Sequence, residues 1–128
     1  IIVCGTLDSS EQKQKAKTLR DRGIEVIEMP NAFGKVDLPK MFAYLAKERE
    51  MNEIHVEAGF KLNGSMLREH CVDELLLYYA PFFMGEGIGM ANVTPLSNLN
   101  LQKDWQMFEK QFLGDDLRLR LINTHSIV

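Results

Sequence analysis

The sequence predicts an α/β fold: a mainly parallel central sheet with helices on both faces and an antiparallel hairpin at the C-terminal end. Three observations lead there. Short β-branched or alternating apolar runs are separated by segments of helical period, the signature of parallel crossover units. Two long alternating runs near the C-terminus are joined by Gly114-Asp115-Asp116, a hairpin signal. The 128 residues suffice for one core and hardly for two.

Each element has its own justification. Ile1 to Cys4 is a β-branched strand ended by Gly5. Ser9 or Ser10 caps a helix running to about Arg22, with Glu11 in its acidic first turn and Gly23 as its stop. Its apolar face is thin, with Ala16 and Leu19, as expected of a helix lying on a sheet. Ile24 to Met29 alternates as a strand, and Pro30 to Gly34 is a loop. Asp37 caps the next helix, Pro39 sits in its first turn, and Met41, Phe42, Leu45 and Ala46 form its stripe. A strand is expected from Ile54 to Glu57, a helix near Asn63 to His70, and a strand from Leu75 to Ala80. Trp105 to Leu113 and Leu117 to Thr124 form the hairpin; Leu117, Leu119 and Leu121 alternate with Arg118 and Arg120.

Composition excludes several function classes. Hydrophobic residues make up 45% and charged residues 26%, the balance of an ordinary globular domain. The net charge of −3 is spread along the chain, leaving no basic footprint for nucleic acid or an anionic membrane. Cys4 and Cys71 are too few for a disulfide framework, and no signal peptide or membrane span is apparent, so the cytoplasm is the default compartment. His55, His70 and His125 are scattered and complete no metal set. The chain opens without Met in a strand-like IIVCG, so neighbouring strands are expected upstream and the numbered chain reads as the C-terminal portion of a longer domain.

Parallel α/β sheets bind ligands at the carboxyl ends of their strands. The stretch IHVEAGFKLNGSML stands at such an edge, and it places Glu57 at the end of an apolar run. Gly59 to Ser65 fits either a turn that changes direction or a cradle in which helix-start amides meet phosphate. Glu57 fits either a salt bridge or turn cap, or a ligand contact. Gly85-Glu86-Gly87-Ile88-Gly89 follows a strand but no helical pattern follows it, so it reads as a flexible turn. Ser65 lacks a histidine or acid at nucleophile spacing, and no catalytic residue is assigned.

Two linked motifs resemble a known family. Val56-Glu57-Ala58-Gly59, then Val72-Asp73-Glu74-Leu75, Tyr79-Ala80-Pro81 and Gly85 look like the C-terminal reductase domain of bifunctional riboflavin-biosynthesis proteins, the RibD C-terminal family. The resemblance implies a dihydrofolate-reductase-like fold whose N-terminal strands precede Ile1. It implies NADPH-dependent reduction of the ribosyl group of 5-amino-6-(5-phosphoribosylamino)uracil to a ribityl chain. It further implies that Glu57 contacts substrate, and that Gly59, Phe60, Lys61, Leu62, Asn63, Gly64 and Ser65 line the NADPH site. One departure is Ala58, where the family usually has glycine. A homodimer is expected by the same resemblance, with an upstream deaminase domain in the parent chain. The deaminase signature itself is absent from these residues. Two alternatives stand beside this reading: a related reductase of another pterin- or pyrimidine-like substrate, and a non-catalytic nucleotide-binding or dimerisation fragment.

Overall fold

A computed structural model describes residues 1–94 and 104–125 of the chain. They form two compact units, residues 1–56 and 57–128. The chain is α/β, with a parallel strand pair in the first unit and an antiparallel sheet in the second.

In the first unit, β1 (Ile2–Cys4) and β2 (Val26–Glu28) lie parallel, with Ile2 opposite Val26 and Cys4 opposite Glu28. Parallel neighbours need a crossover, and α1 (Ser10–Asp21) supplies it. Its start is a complete capping box. Ser9 Oγ accepts from the Gln12 amide at 3.1 Å, while Gln12 Oε1 accepts from the Ser9 amide at 2.9 Å. Its end is a Schellman closure: Ile24 N–H donates to Leu19 C=O at 3.0 Å and Gly23 N–H to Arg20 C=O at 2.9 Å. Gly23 takes the left-handed φ of +79° that this closure requires. The helix buries Ala16, consistent with its thin apolar face.

The loop after β2 is organised by Asn31, whose Oδ1 accepts from the Phe33 and Lys35 amides at 2.9 and 3.1 Å. Asp37 then caps α2 (Leu38–Glu48), its Oδ1 accepting from the Lys40 amide at 3.0 Å, with Pro39 in the first turn. Arg49 follows α2; its guanidinium donates to the Tyr44 hydroxyl at 3.1 Å and pairs with Glu25, and both contacts raise its pKa. The buried apolar side chains of this unit are Ala16, Val26, Met29 and Leu38.

The second unit holds α3 (Phe60–Arg68), β3 (Glu74–Tyr79), β4 (Trp105–Leu113) and β5 (Asp116–Asn123). The strand order is β3-β5-β4, all antiparallel, so the last strand is the central one. Gly114 and Asp115 make the hairpin connection, Gly114 at a φ of +63°. A bulge falls between Met107 and Glu109, and Arg120 sits 4.9 Å over the ring of Phe108. Arg120 also donates to Glu74 at 2.6 Å, and Arg118 to Glu109 at 2.8 Å, so the arginines of β5 tie it to both flanking strands. Asn123 is buried and makes three bonds: its amide donates to Asp73 C=O and its Nδ2 to Val72 C=O, while its Oδ1 accepts from the His125 amide.

Two expectations are corrected. No strand is assigned over 54–57: the run carries no ladder, and Ile54 and Val56 are exposed. Alternation marks a surface suited to a sheet, but a strand also needs a hydrogen-bonded neighbour. The helix expected near Asn63 begins three residues earlier, at Phe60, with Gly59 as its N-cap. Among the described residues no helix is long and apolar enough to cross a membrane.

Candidate functional site

The helix start at Gly59 decides what IHVEAGFKLNGSML can do. A helix leaves its first amides without intrahelical partners, and a Ser, Thr, Asp or Asn cap ordinarily takes one or two of them. Ser9 and Asp37 do this for α1 and α2. Gly59 has no side chain to do so, and α3 has no side-chain cap bond. Asn63 N–H donates to Gly59 C=O at 3.0 Å, closing the first turn. The amides of Phe60, Lys61 and Leu62 therefore stand at the positive end of the helix, with Lys61 exposed beside them.

Gly59 itself has an ordinary φ of −93°, and a Cβ there would meet no described atom within 4 Å. Its role is to omit a cap and leave space. A positive φ is not required.

The remaining residues of the stretch divide in two. Glu57 is exposed, two residues before the cap. Asn63, Gly64 and Ser65 lie inside α3, against the segment that follows the glycine-rich loop. Asn63 Nδ2 donates to Ala58 C=O at 3.1 Å and to Met90 C=O at 2.8 Å. Gly64 is buried, and a Cβ there would collide with the backbone of Asn92. Ser65 Oγ accepts from Arg68 at 3.0 Å, and Arg68 also donates to Asn92 C=O. Asn92 N–H donates to Phe60 C=O at 2.9 Å. Met90, Asn92 and Arg68 are not singled out by the sequence, because the contacts that join them to α3 and to each other span more than twenty residues and no local pattern marks them.

The Gly85–Gly89 stretch is irregular, with Gly85 at a φ of +82°. Gly89 lies beside the ring of Phe60; a Cβ there would be 3.9 Å away. Among the described residues no group of three His, Cys, Asp or Glu is placed to hold a metal ion.

Residues 2–116 match the RibD C-terminal domain family. The chain belongs to that family. The RibD C-terminal domain chain is 35% identical over 88 residues to the riboflavin biosynthesis protein RibD of Haemophilus influenzae, covering 68% of this chain and 24% of that protein. It is 31% identical over 116 residues to RibD of Escherichia coli, covering 90% of this chain and 29% of that protein. A Buchnera aphidicola protein named 5-amino-6-(5-phosphoribosylamino)uracil reductase is 33% identical over 51 residues, 40% of this chain and 24% of that one. The solved structure of Acinetobacter baumannii RibD superposes with a TM-score of 0.71 at 27% identity, covering 84% of this chain and 29% of that one. The dihydrofolate-reductase-like fold implied by the sequence motifs is the fold of these RibD structures. The chain spans about a quarter of the length of the curated relatives it matches.

Proposed function

We propose that this RibD C-terminal domain chain contributes the cofactor-binding helix and a substrate contact to a reductase. That enzyme converts the ribosyl group of 5-amino-6-(5-phosphoribosylamino)uracil to ribityl, with NADPH as cofactor. The observation that carries the reading is the glycine-capped N-terminus of α3, which has no side-chain cap bond and lies two residues after Glu57. The membership of the chain in its family and its likeness to the Buchnera reductase support the substrate.

The donor set fits a dinucleotide phosphate. Gly59, Phe60, Lys61 and Leu62 offer backbone amides at a helix N-terminus, and Lys61 adds a cation. Asn63, Gly64 and Ser65 form the wall of the site behind that first turn. Bound NADPH supplies the hydride. Glu57 orients the substrate through its hydroxyl or amine groups, holding the sugar where the reaction proceeds and competing with water for those donors. Ala58, at a position that is usually glycine in the family, directs its carbonyl to Asn63. Contacts to the substrate phosphate and the deaminase domain are assigned to a longer parent chain, the partner to a second copy, and the compartment to the cytoplasm. In the second unit Phe108 and Phe112 on β4 are exposed apolar surface for such a dimer.

Replacing Glu57 in the natural chain that carries these residues tests the reading. Glu57→Gln keeps the shape and removes a charged acceptor worth roughly 1.5 to 3 kcal/mol. Turnover efficiency should fall about ten- to a hundredfold with NADPH affinity nearly unchanged. A loss of cofactor binding with intact substrate kinetics would place Glu57 in the other half of the site.

A further inference from the structure

The segment after the glycine-rich loop lies directly on α3. Gly64 has no room for a Cβ because the Asn92 backbone occupies that space, and Asn92 N–H reaches Phe60 C=O at 2.9 Å. Arg68 holds Asn92 C=O from the far end of the helix. Between these points stands Asn63. Its Nδ2 carries two N–H donors, and each has a different target: Ala58 C=O at 3.1 Å, before the helix, and Met90 C=O at 2.8 Å, on the overlying segment.

We infer that Asn63 is a positioning residue. Its carboxamide pins the carbonyl of Ala58 and the Met90–Asn92 segment to one point, and so fixes the direction in which Glu57 and the first-turn amides are presented. This rests on the proposed reductase reading for what those groups meet. The geometry is specific to a carboxamide of this length. An aspartate has no N–H and would bring a negative charge against two carbonyl oxygens. A leucine of similar size would leave both carbonyls unmet. The side chain, spent on two protein carbonyls, acts on the cofactor only through the backbone it holds.

The same pin explains why a polar Asn-Gly-Ser run persists inside a helix. Asn and Gly are both poor helix formers. Here the asparagine joins three segments, and the glycine lets one of them approach.

The experiment uses the natural chain carrying these residues. Asn63→Asp and Asn63→Ser are compared with wild type by amide hydrogen exchange without ligand and by NADPH titration. Asn63→Ser retains one donor, so it serves where Asn63→Asp does not fold. The expected result is faster exchange at the hydrogen-bonded amides of Asn92 and Val93, with NADPH affinity at least tenfold weaker and unchanged circular dichroism. Unchanged exchange at both of those amides would overturn the positioning role. Faster exchange with undiminished NADPH affinity would overturn the link to the cofactor. Failure of wild type to bind NADPH would instead overturn the reductase reading, and the exchange data alone would then decide the role of Asn63.

Discussion

Replacing Gly64 by alanine isolates the contact between α3 and the segment laid over it. Were Gly64 an ordinary exposed helical glycine, alanine would stabilise by about 1 kcal/mol through helix propensity. The surroundings reverse that sign. An ideal Cβ at Gly64 lies only 2.7 Å from both the carbonyl carbon and the amide nitrogen of Asn92, and closer still to its carbonyl oxygen. These are backbone atoms, so no flexible side chain can swing aside. Either the helix or the segment must shift, and the bonds from Asn92 N–H to Phe60 and from Arg68 to Asn92 are the first to lengthen. Overpacking costs about 1 to 3 kcal/mol, and each lost hydrogen bond about 0.5 to 1.5 kcal/mol. Set against the propensity gain, Gly64→Ala should destabilise by roughly 1 to 3 kcal/mol. The comparison is Gly59→Ala, where the Cβ meets no described atom and φ is −93°; it should lose only the N-cap preference for glycine over alanine, about 0.5 to 1 kcal/mol. Urea unfolding of both variants, read as the midpoint at constant slope, gives the comparison. A Gly64→Ala protein more stable than wild type would refute the close packing.

Other substitutions probe the ends of the helices and the sheet. Ser9→Ala removes half of the α1 capping box and should cost about 1 kcal/mol in the same urea assay. His70, at a φ of +52°, closes α3 in the left-handed region without being glycine, so His70→Gly should stabilise by about 1 kcal/mol, read as a raised melting temperature. Asn123→Leu strands the carbonyl of Val72 and the amide of His125, and a loss of about 2 kcal/mol is expected on thermal unfolding.

Elements whose signals are local were legible in the sequence. Ser9 or Ser10 with Glu11, Gly23, Asp37 with Pro39, and Gly114-Asp115-Asp116 each carry their chemistry within a few residues, and the structure uses them for the expected starts, stop and turn, with Ser9 as the cap of α1. The helix expected near Asn63 starts three residues earlier, at Phe60. Gly59 looked like a bend and Asn63-Gly64-Ser65 like a turn, because each residue disfavours helix on its own. What overrides those preferences is contact with Met90 and Asn92, distant in sequence and carrying no motif. The alternation of Ile54 to Glu57 misled for the converse reason: it is a local pattern whose outcome depends on a neighbouring strand. For the candidate site, the stretch from Glu57 to Ser65 was visible through its family motif. The division of that stretch into an amide-bearing turn and a wall that receives the overlying segment was not.

The central place of β5 in the order β3-β5-β4 sets a sequence of events during synthesis. β3 leaves the ribosome with neither edge occupied by its eventual neighbour, since Glu74 pairs with Ile122 and Tyr79 with Leu117. The β1-α1-β2 unit, whose contacts are nearer in sequence, can assemble while the rest is still being made. β4 and β5 then close through Gly114-Asp115, and among the described residues it is that finished hairpin that offers β3 a ladder. A nascent chain stalled at Leu113 would carry two strands, both lacking the one partner they share, with Phe108 and Phe112 exposed on one of them. Such an intermediate presents unpaired apolar strand edges, the kind of surface that aggregates.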